Sequence, residues 1–303
     1  DRVLSTYRLL IEVLRYVRAH PGTLRAAVHA AETADVERFT RGGDSLAVHF
    51  RSAGSTRSFR FRGYETEIRN SDISGGEYVW WDHAKPIEVD IPFLDDVRPI
   101  VKVLPPRYYI VPQEWGDVVA VLRLHGVRLQ RLERDARVPA QTYVFANPRW
   151  RDTPYEGRFT VEADRRVRQD TMPYRAGDYV VDPAQPSGRV AVHLLEPDAP
   201  DSFVYWGFFS AIFEQKEYFE DYVMEAIAPG MLEADAELRE EFERRLEADS
   251  AFAASPRARL QFFYERSPWF DQKMNVYPVG RVMQPVTLPL LPESRYRRIP
   301  QMK

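Results

Sequence analysis

The sequence predicts a mixed α/β fold, of the α+β kind, on three observations. An apolar stripe at helical spacing opens the chain, a stretch of period-two alternation follows, and a strand–helix–strand segment leads into a mainly helical end. With 303 residues, 44% apolar and 29% charged, the composition is that of a globular protein with ample material for a core. At about 100–200 residues per domain, this length points to two domains or three small ones.

Val3, Tyr7, Leu10, Leu14 and Val17 lie on one face of a helix, which Pro21-Gly22 closes. Burying five such side chains is worth on the order of 8–15 kcal/mol, at roughly 1.5–3 kcal/mol each. That is the scale of a whole domain's net stability, so the stripe requires a surface to pack against. Thr23 is placed to cap a second helix through Leu24, Ala27, Val28 and Ala31.

From Leu46 the period is two. Leu46, Val48 and Phe50 alternate with Ala47, His49 and Arg51, and Phe59 and Phe61 alternate with Arg60 and Arg62, as in half-buried antiparallel strands. Gly75-Gly76 introduces a further strand at Tyr78-Val79-Trp80-Trp81. Prolines at 86, 92, 99, 105 and 106 are then expected to break the segment into extended pieces, with a boundary near Pro105-Pro106. Tyr108 to Val111 reads as a strand. Trp115, Val118, Val119 and Leu122 mark one helix face, Gly126 supplies a left-handed stop, and Val127 to Leu132 returns as a strand. So short a crossover joins parallel strands.

Strands and turns then alternate from Thr142 to Val181, with turns at Asn147-Pro148, Glu156-Gly157 and Ala176-Gly177. Arg189 to Leu195 fits a strand or a helix equally. Asp235 opens a helix carrying Leu238, Phe242 and Leu246, and Ser255-Pro256 opens another through Leu260 and Phe263. The last thirty residues, rich in proline, read as an extended tail. The expected divisions are a helical segment at 1–36, a β-rich domain at 37–104, an α/β-to-helical domain at 105–279 and a tail at 280–303.

The totals exclude several functions. A net charge of -3 gives no electrostatic reason to expect nucleic acid or anionic lipid as a partner. Arginines are interleaved with acids, as in Arg239-Glu240-Glu241-Phe242-Glu243-Arg244-Arg245, which reads as a solvated helix face. The absence of cysteine excludes disulfides, thiolate chemistry and cysteine-bound zinc. Apolar runs such as Val118 to Leu122 fall far short of the roughly 20 residues that span a bilayer, and no signal peptide is visible. A start at Asp1 fits processing or a piece of a longer protein.

Among chemical motifs, His29-Ala30-Ala31-Glu32 is the His-x-x-Glu pair that a zinc site would need. Chance supplies one such pair about half the time in a chain with six histidines, and His125 and His193 stand in no ligand context, so a surface helix is the expected reading. Glu196-Pro197-Asp198-Ala199-Pro200-Asp201-Ser202 reads as a turn before a helix. Its acids are also the candidates for general acid/base work or calcium ligation, with a buried Glu196–Arg158 ion pair as the arrangement that would favour function. Trp206-Gly207-Phe208-Phe209, with Phe203, Tyr205 and Phe213 nearby, reads as core packing, with a stacking platform for sugar or peptide as the alternative. Trp80-Trp81 reads the same way, with one of the two in the core.

Several strings taken together resemble large bacterial zinc carboxypeptidases. Asp1-Arg2-Val3-Leu4-Ser5-Thr6-Tyr7 with its helix resembles the last helix of their catalytic domain. The region after that domain is resembled by Pro106-Arg107-Tyr108-Tyr109-Ile110-Val111-Pro112 with Trp115, and by Leu124-His125-Gly126-Val127. Further on it is resembled by Tyr155-Glu156-Gly157-Arg158, Leu194-Leu195-Glu196-Pro197-Asp198, Trp206-Gly207-Phe208-Phe209 and Glu214 to Tyr222. The resemblance runs from roughly Asp1 to Val279.

It implies that the metal ligands, the substrate-carboxylate arginine and the general-base glutamate precede the residue matching Asp1. Zinc is then expected in the catalytic domain, no cofactor in this chain, and no enzymatic activity from this chain alone. The resemblance further implies a non-catalytic C-terminal portion that supports or shapes the peptidase domain or its dimer. Its partners would be that domain or a symmetry mate, with peptide as the parent's substrate, and it favours an extracytoplasmic location, periplasmic or secreted. The apolar stripe of the first helix would then lie against a carboxypeptidase sheet. Arg158, Glu196, Asp198, Asp201 and Trp206 are the candidate interface or lid residues. A self-standing peptide- or glycan-binding module using Trp80, Trp81 or Trp206 is the alternative, and a hydrolase using the carboxylates near Glu196 is a third reading.

Overall fold

The computed structural model of the chain describes residues 2–291, and its helices and strands occupy comparable shares, a mixed α/β fold. The described residues form two compact units. One takes those up to Gly42, Pro106–Pro197 and those from Asp201 onward; the other takes Gly43–Pro105 with Asp198–Pro200.

In the first unit, α1 (Arg2–Ala19) buries no residue. Its predicted stripe is in solvent, with Val3, Tyr7, Leu10, Leu14 and Val17 between 45% and 81% exposed. Helix α2 (Pro21–Arg41) starts at its proline, not at the expected Thr23 cap. The residue before it, His20, makes no side-chain cap, because its ring faces back to the Tyr16 carbonyl (2.9 Å) and stacks on the Tyr16 ring. The far end of α2 is anchored. Phe39 is buried, and the Arg107 guanidinium donates to the carbonyls of Thr40 and Arg41, where the helix dipole favours a cation. Gly42 (φ 68°) turns the chain out, and a Cβ there would stand 3.0 Å from the Arg107 guanidinium carbon.

The second unit holds β1 (Leu46–Ser52), β2 (Arg57–Asn70), β3 (Glu77–Phe93) and β4 (Val97–Val103), paired antiparallel as β1–β4 and β2–β3. The strands lie where alternation puts them, but half-burial holds only for Leu46 and Val48; Phe50, Phe59 and Phe61 are exposed. The reason is that β1–β4 and β2–β3 are each only two strands wide, which gives these side chains little cover. Pro86, Pro92 and Pro99 do not break the segment either, whereas Pro105 and Pro106 stand between β4 and the next strand. Pro86 and Pro92 sit inside β3 opposite Tyr64 and Ser58, and Pro99 sits inside β4 opposite Phe50. Each strand of a two-stranded sheet has a free edge, where a missing N–H costs no ladder bond.

Back in the first unit, a six-stranded sheet runs in the order β6-β9-β5-β10-β7-β8. Its strands are β5 (Tyr108–Val111), β6 (Leu129–Arg131), β7 (Ala136–Trp150), β8 (Val161–Tyr174), β9 (Tyr179–Val181) and β10 (Gly280–Val282). Helix α3 (Gly116–Leu124) buries Val118, Val119 and Leu122 as predicted, and Gly126 (φ 74°) ends it. The crossover expectation needs correction. Strands β5 and β6 do run parallel, but each is bonded antiparallel to β9, which lies between them. Asn147-Pro148 is likewise no turn: Asn147 (φ 51°) forms a bulge inside β7, where the register to β8 shifts between Ala146 and Arg149.

Arg189 to Leu195 resolves as helix α4 (Gly188–Leu195), and Arg189 ties it to Asp35 of α2 (Nε to Oδ2, 3.0 Å). The segment read as an extended tail enters the centre of the sheet as β10, between β5 and β7. A Cβ on Gly280 would stand 1.7 Å from the Tyr174 hydroxyl, so only glycine fits. The chain then runs through α5 (Asp221–Ala234), α6 (Ala236–Ala248), α7 (Ser250–Ala254) and α8 (Pro256–Tyr264). These pack around Met224, Phe242, Phe252 and Phe262. Asp235 and Ser255 cap α6 and α8 as predicted, accepting from the amides of Leu238 (3.0 Å) and Ala258 (3.2 Å).

Candidate functional site

Glu196 follows α4 directly and is fully buried. Tyr109 of β5 donates its hydroxyl to Oε1 (2.7 Å), and Tyr143 of β7 donates to Oε2 (2.9 Å). Arg281 of β10 donates Nε–H to Oε1 (2.9 Å) and reaches Gln141 Oε1 through Nη1 (3.1 Å). The Tyr277 hydroxyl donates to the carbonyl of Leu195 beside them (2.8 Å). One carboxylate thus gathers donors from three neighbouring strands and ties them to α4.

Burial pushes the Glu196 carboxyl above the usual carboxylate range, against the pull of Arg281 and the two tyrosine hydroxyls. Burial and the Glu196 charge push the Tyr109 and Tyr277 hydroxyls well up, so both remain protonated. Burial opposes the charge on Arg281, yet Glu196 beside it raises its affinity for its proton. A carboxylate with donors on both oxygens and no exposure is arranged to fasten strands. It has no path to a substrate's proton.

The expected Glu196–Arg158 pair does not form. Arg158 lies on a surface hairpin, with its guanidinium 3.6 Å over the Phe208 ring. That hairpin turns at Glu156 (φ 50°) and Gly157 (φ 75°), closed by reciprocal bonds between Tyr155 and Arg158. Tyr155 stacks on Trp206 (centroids 6.1 Å, 21° between planes) and carries Arg151 5.1 Å over its ring. Trp206 Nε1–H donates to Asp201 Oδ1 (3.2 Å).

Of the predicted residues, Arg158, Asp201 and Trp206 therefore come together in one surface cluster with Tyr155. Asp198 is half-buried, and Glu196 points into the core. Phe203, Phe209 and Phe213 are core, as expected for that window. Trp80 and Trp81 are not: both are exposed on β3, and Arg69 lies 4.6 Å over the Trp80 ring. His29 is exposed on α2. Among the described residues no group of three or more His, Asp or Glu side chains is placed to hold a metal ion, and no helix is long and apolar enough to cross a membrane.

Sequence reasoning missed Tyr109, Tyr143 and Arg281. Arg281 sits 85 residues from Glu196, inside what reads locally as a tail. The one available signal was Gly280-Arg281 between Val279 and Val282, a polar pair enclosed by β-branched residues.

Comparison with known proteins gives carboxypeptidases. The chain is 25% identical to Carboxypeptidase 2 of Trichophyton rubrum over 172 residues, which is 57% of this chain and 29% of that protein. It is 28% identical to Carboxypeptidase 2 of Trichophyton tonsurans and of Trichophyton equinum over 102 residues, 34% of this chain and 19% of theirs. The chain spans less than a third of the length of these curated relatives. No protein-family model and no solved structure matches it. The sequence is thus carboxypeptidase-like over part of its length, and these relatives are fungal.

Proposed function

We propose that the chain is the non-catalytic C-terminal portion of a zinc carboxypeptidase-like protein and supports its peptidase domain through the apolar face of α1. The carrying observation is that face: five side chains at one-face spacing, all in solvent, in a chain similar to Carboxypeptidase 2. Covering them stabilises a docked arrangement by up to about 8–15 kcal/mol before the cost of association. In this reading zinc, the peptide substrate and the hydrolytic residues belong to the peptidase domain, and the location is periplasmic or secreted. The Glu196 knot keeps the sheet rigid, and Arg158, Asp201 and Trp206 form an interface or lid. Mixing the chain with a separately expressed carboxypeptidase domain of a relative tests it. Co-elution and a changed peptidase rate or melting temperature are expected, and both should vanish with Leu10→Lys and Leu14→Lys. No change in rate or stability on mixing would overturn it.

A second reading, a peptide- or glycan-binding module, is favoured by the exposed Trp81 and the Tyr155–Trp206 stack. A glycan array and a peptide pull-down on the isolated chain, repeated with Trp206→Ala, separate the two.

A further inference from the structure

Strand β8 ends the six-stranded sheet on one side, and among the described residues it pairs only with β7. Bonds along an antiparallel strand alternate between its two sides. Tyr143 and Phe145 of β7 make theirs on the side away from β8: Tyr143 accepts from the Tyr277 N–H and Phe145 donates to the Asn275 carbonyl (both 2.8 Å). Thr142 and Val144 are therefore the residues that bond to Arg168 and Arg166, their partners in register. Arg165, Val167, Gln169 and Thr171 turn their N–H and C=O groups to the open edge instead. Val161 keeps the same alternation and gives its outward N–H to the Tyr205 carbonyl (2.9 Å). Pro173, which has no N–H to give, also falls on an outward position. Among the described residues no other backbone bond reaches this edge between Ala163 and Pro173.

We propose that this edge pairs antiparallel with the same edge of a second copy of the chain, about a twofold axis normal to the sheet at Gln169, so that the two sheets become one. The order of charges selects the register. This axis sets Arg168 of each copy opposite Asp170 of the other, Val167 opposite Thr171, Arg166 opposite Met172 and Arg165 opposite Pro173. Centring the axis on Arg165, Arg166, Arg168 or Asp170 would face that residue with its own copy. Centring it on Val167 would set Arg166 against Arg168 and Asp164 against Asp170. An axis between residues would bring outward groups against inward ones. Among these axes, the one at Gln169 alone opposes unlike charges and no like ones. Gln169 then exchanges both backbone bonds with its copy, Val167 exchanges both with Thr171, and Arg165 donates to the Pro173 carbonyl.

The single chain leaves the groups that this pairing uses short of partners. The Arg168 Nε–H is buried with no acceptor. Among the described residues no acid pairs with Arg166 or Arg168 and no cation with Asp170. Asp170 Oδ1 accepts the Thr171 N–H (2.7 Å) and Arg137 Nη2 donates to the Thr171 carbonyl (3.2 Å), two side chains standing where a paired strand would. Tyr205 covers the edge at Val161, which this axis places beyond the end of the other copy's β8. A strand pair of this length covers less than the roughly 1,200 Å² of firm interfaces, so the dimer is weak and dissociates on dilution. The inference does not rest on the carboxypeptidase reading, and substitutions in α1 leave it unaffected.

Sedimentation equilibrium of the chain from about 1 µM to about 500 µM reads it directly, and the mass is expected to rise from monomer toward dimer. Arg168→Asp and Asp170→Arg each set like charges opposite one another at two symmetry-related places, and each should weaken association about 5–30-fold. The chain carrying both substitutions has the two charges exchanged and should regain the wild-type constant to within about threefold. Val167→Pro gives an independent arm. Its N–H faces the open edge, so the bonds to β7 and the melting temperature should hold while the dimer is lost. The amides of Val167 and Gln169 should also exchange hydrogen more slowly as concentration rises. A chain monomeric throughout the range, a double exchange no better than the single ones, or a Val167→Pro chain that melts like wild type and still dimerises would overturn the proposal. So would binding of an added acidic peptide along β8 while the chain alone stays monomeric.

Discussion

Replacing Arg281 by methionine removes the one cation that, among the described residues, lies against the fully buried Glu196 carboxylate (2.9 Å). Tyr109 and Tyr143 still donate, but two neutral hydroxyls do not balance a buried charge. Stripping one partner from a buried ion pair costs about 3–5 kcal/mol. At about 2–4 °C per kcal/mol for a unit of this size, the melting temperature should fall by roughly 6–20 °C. The loss should depend on pH with a definite sign. Burial already holds the Glu196 carboxyl above its ordinary range, and losing Arg281 removes a pull in the opposite direction. A folded-state value above the unfolded one means the fold prefers the protonated acid, so stability falls as pH rises through the folded value. The deficit should therefore be larger at about pH 8 than at about pH 5. Adding Glu196→Gln should restore more than half of it, since a neutral amide accepts from one tyrosine and donates to the other. Urea unfolding of the wild type, both single variants and the double variant at the two pH values makes the cycle. A single variant within about 1 kcal/mol of wild type at about pH 8, or strictly additive effects, would refute the reasoning.

Gly280→Ala should be as damaging, because its Cβ meets the Tyr174 hydroxyl at 1.7 Å; a loss of about 3 kcal/mol or more by denaturant titration is expected, relieved only in part by Tyr174→Phe, which removes the oxygen but leaves the ring carbon at 2.8 Å. His193 is pushed below its ordinary 6.5 by burial and by Arg189, against the pull of Asp201. A depressed histidine contributes stability that is full above the unfolded value and lost as pH falls through the window below it. Melts of His193→Gln should therefore lose less between about pH 7.5 and pH 5 than wild type. Leu14→Lys on exposed α1 should change the melting point of the isolated chain by no more than about 0.5 kcal/mol equivalent; a larger loss would mean that the stripe is covered within the chain.

Much of the secondary structure is legible because its causes are local. The α1 stripe, the face of α3, the stop at Gly126, and the caps Asp235 and Ser255 each depend on residues within a turn or two. Alternation likewise locates β1 and β2. The same local signals mislead where a pairing partner alters their meaning. Pro86 and Pro92 read as breaks, yet their free edge accommodates them in β3. Asn147-Pro148 reads as a turn, yet with β8 alongside it is a bulge.

The candidate site was legible only by halves. Asp201, Trp206 and Arg158 sit in windows whose aromatic and turn residues single them out, and the fold brings them together. Glu196 is visible as an acid after an apolar run, but the cation that meets it is Arg281, not the Arg158 that a functional acid would have needed. By itself, then, the sequence determined where the helices and strands with strong local signals form and that one helix face is apolar. Tertiary structure alone decided that β9 separates β5 from β6, that β10 enters the centre of the sheet, and that Arg281 meets Glu196. It also decided that the α1 and β2–β3 faces stay uncovered. The physical reason is range: periodicity records what each residue needs within its own element, whereas strand order and the balancing of a buried charge depend on groups brought together from far along the chain.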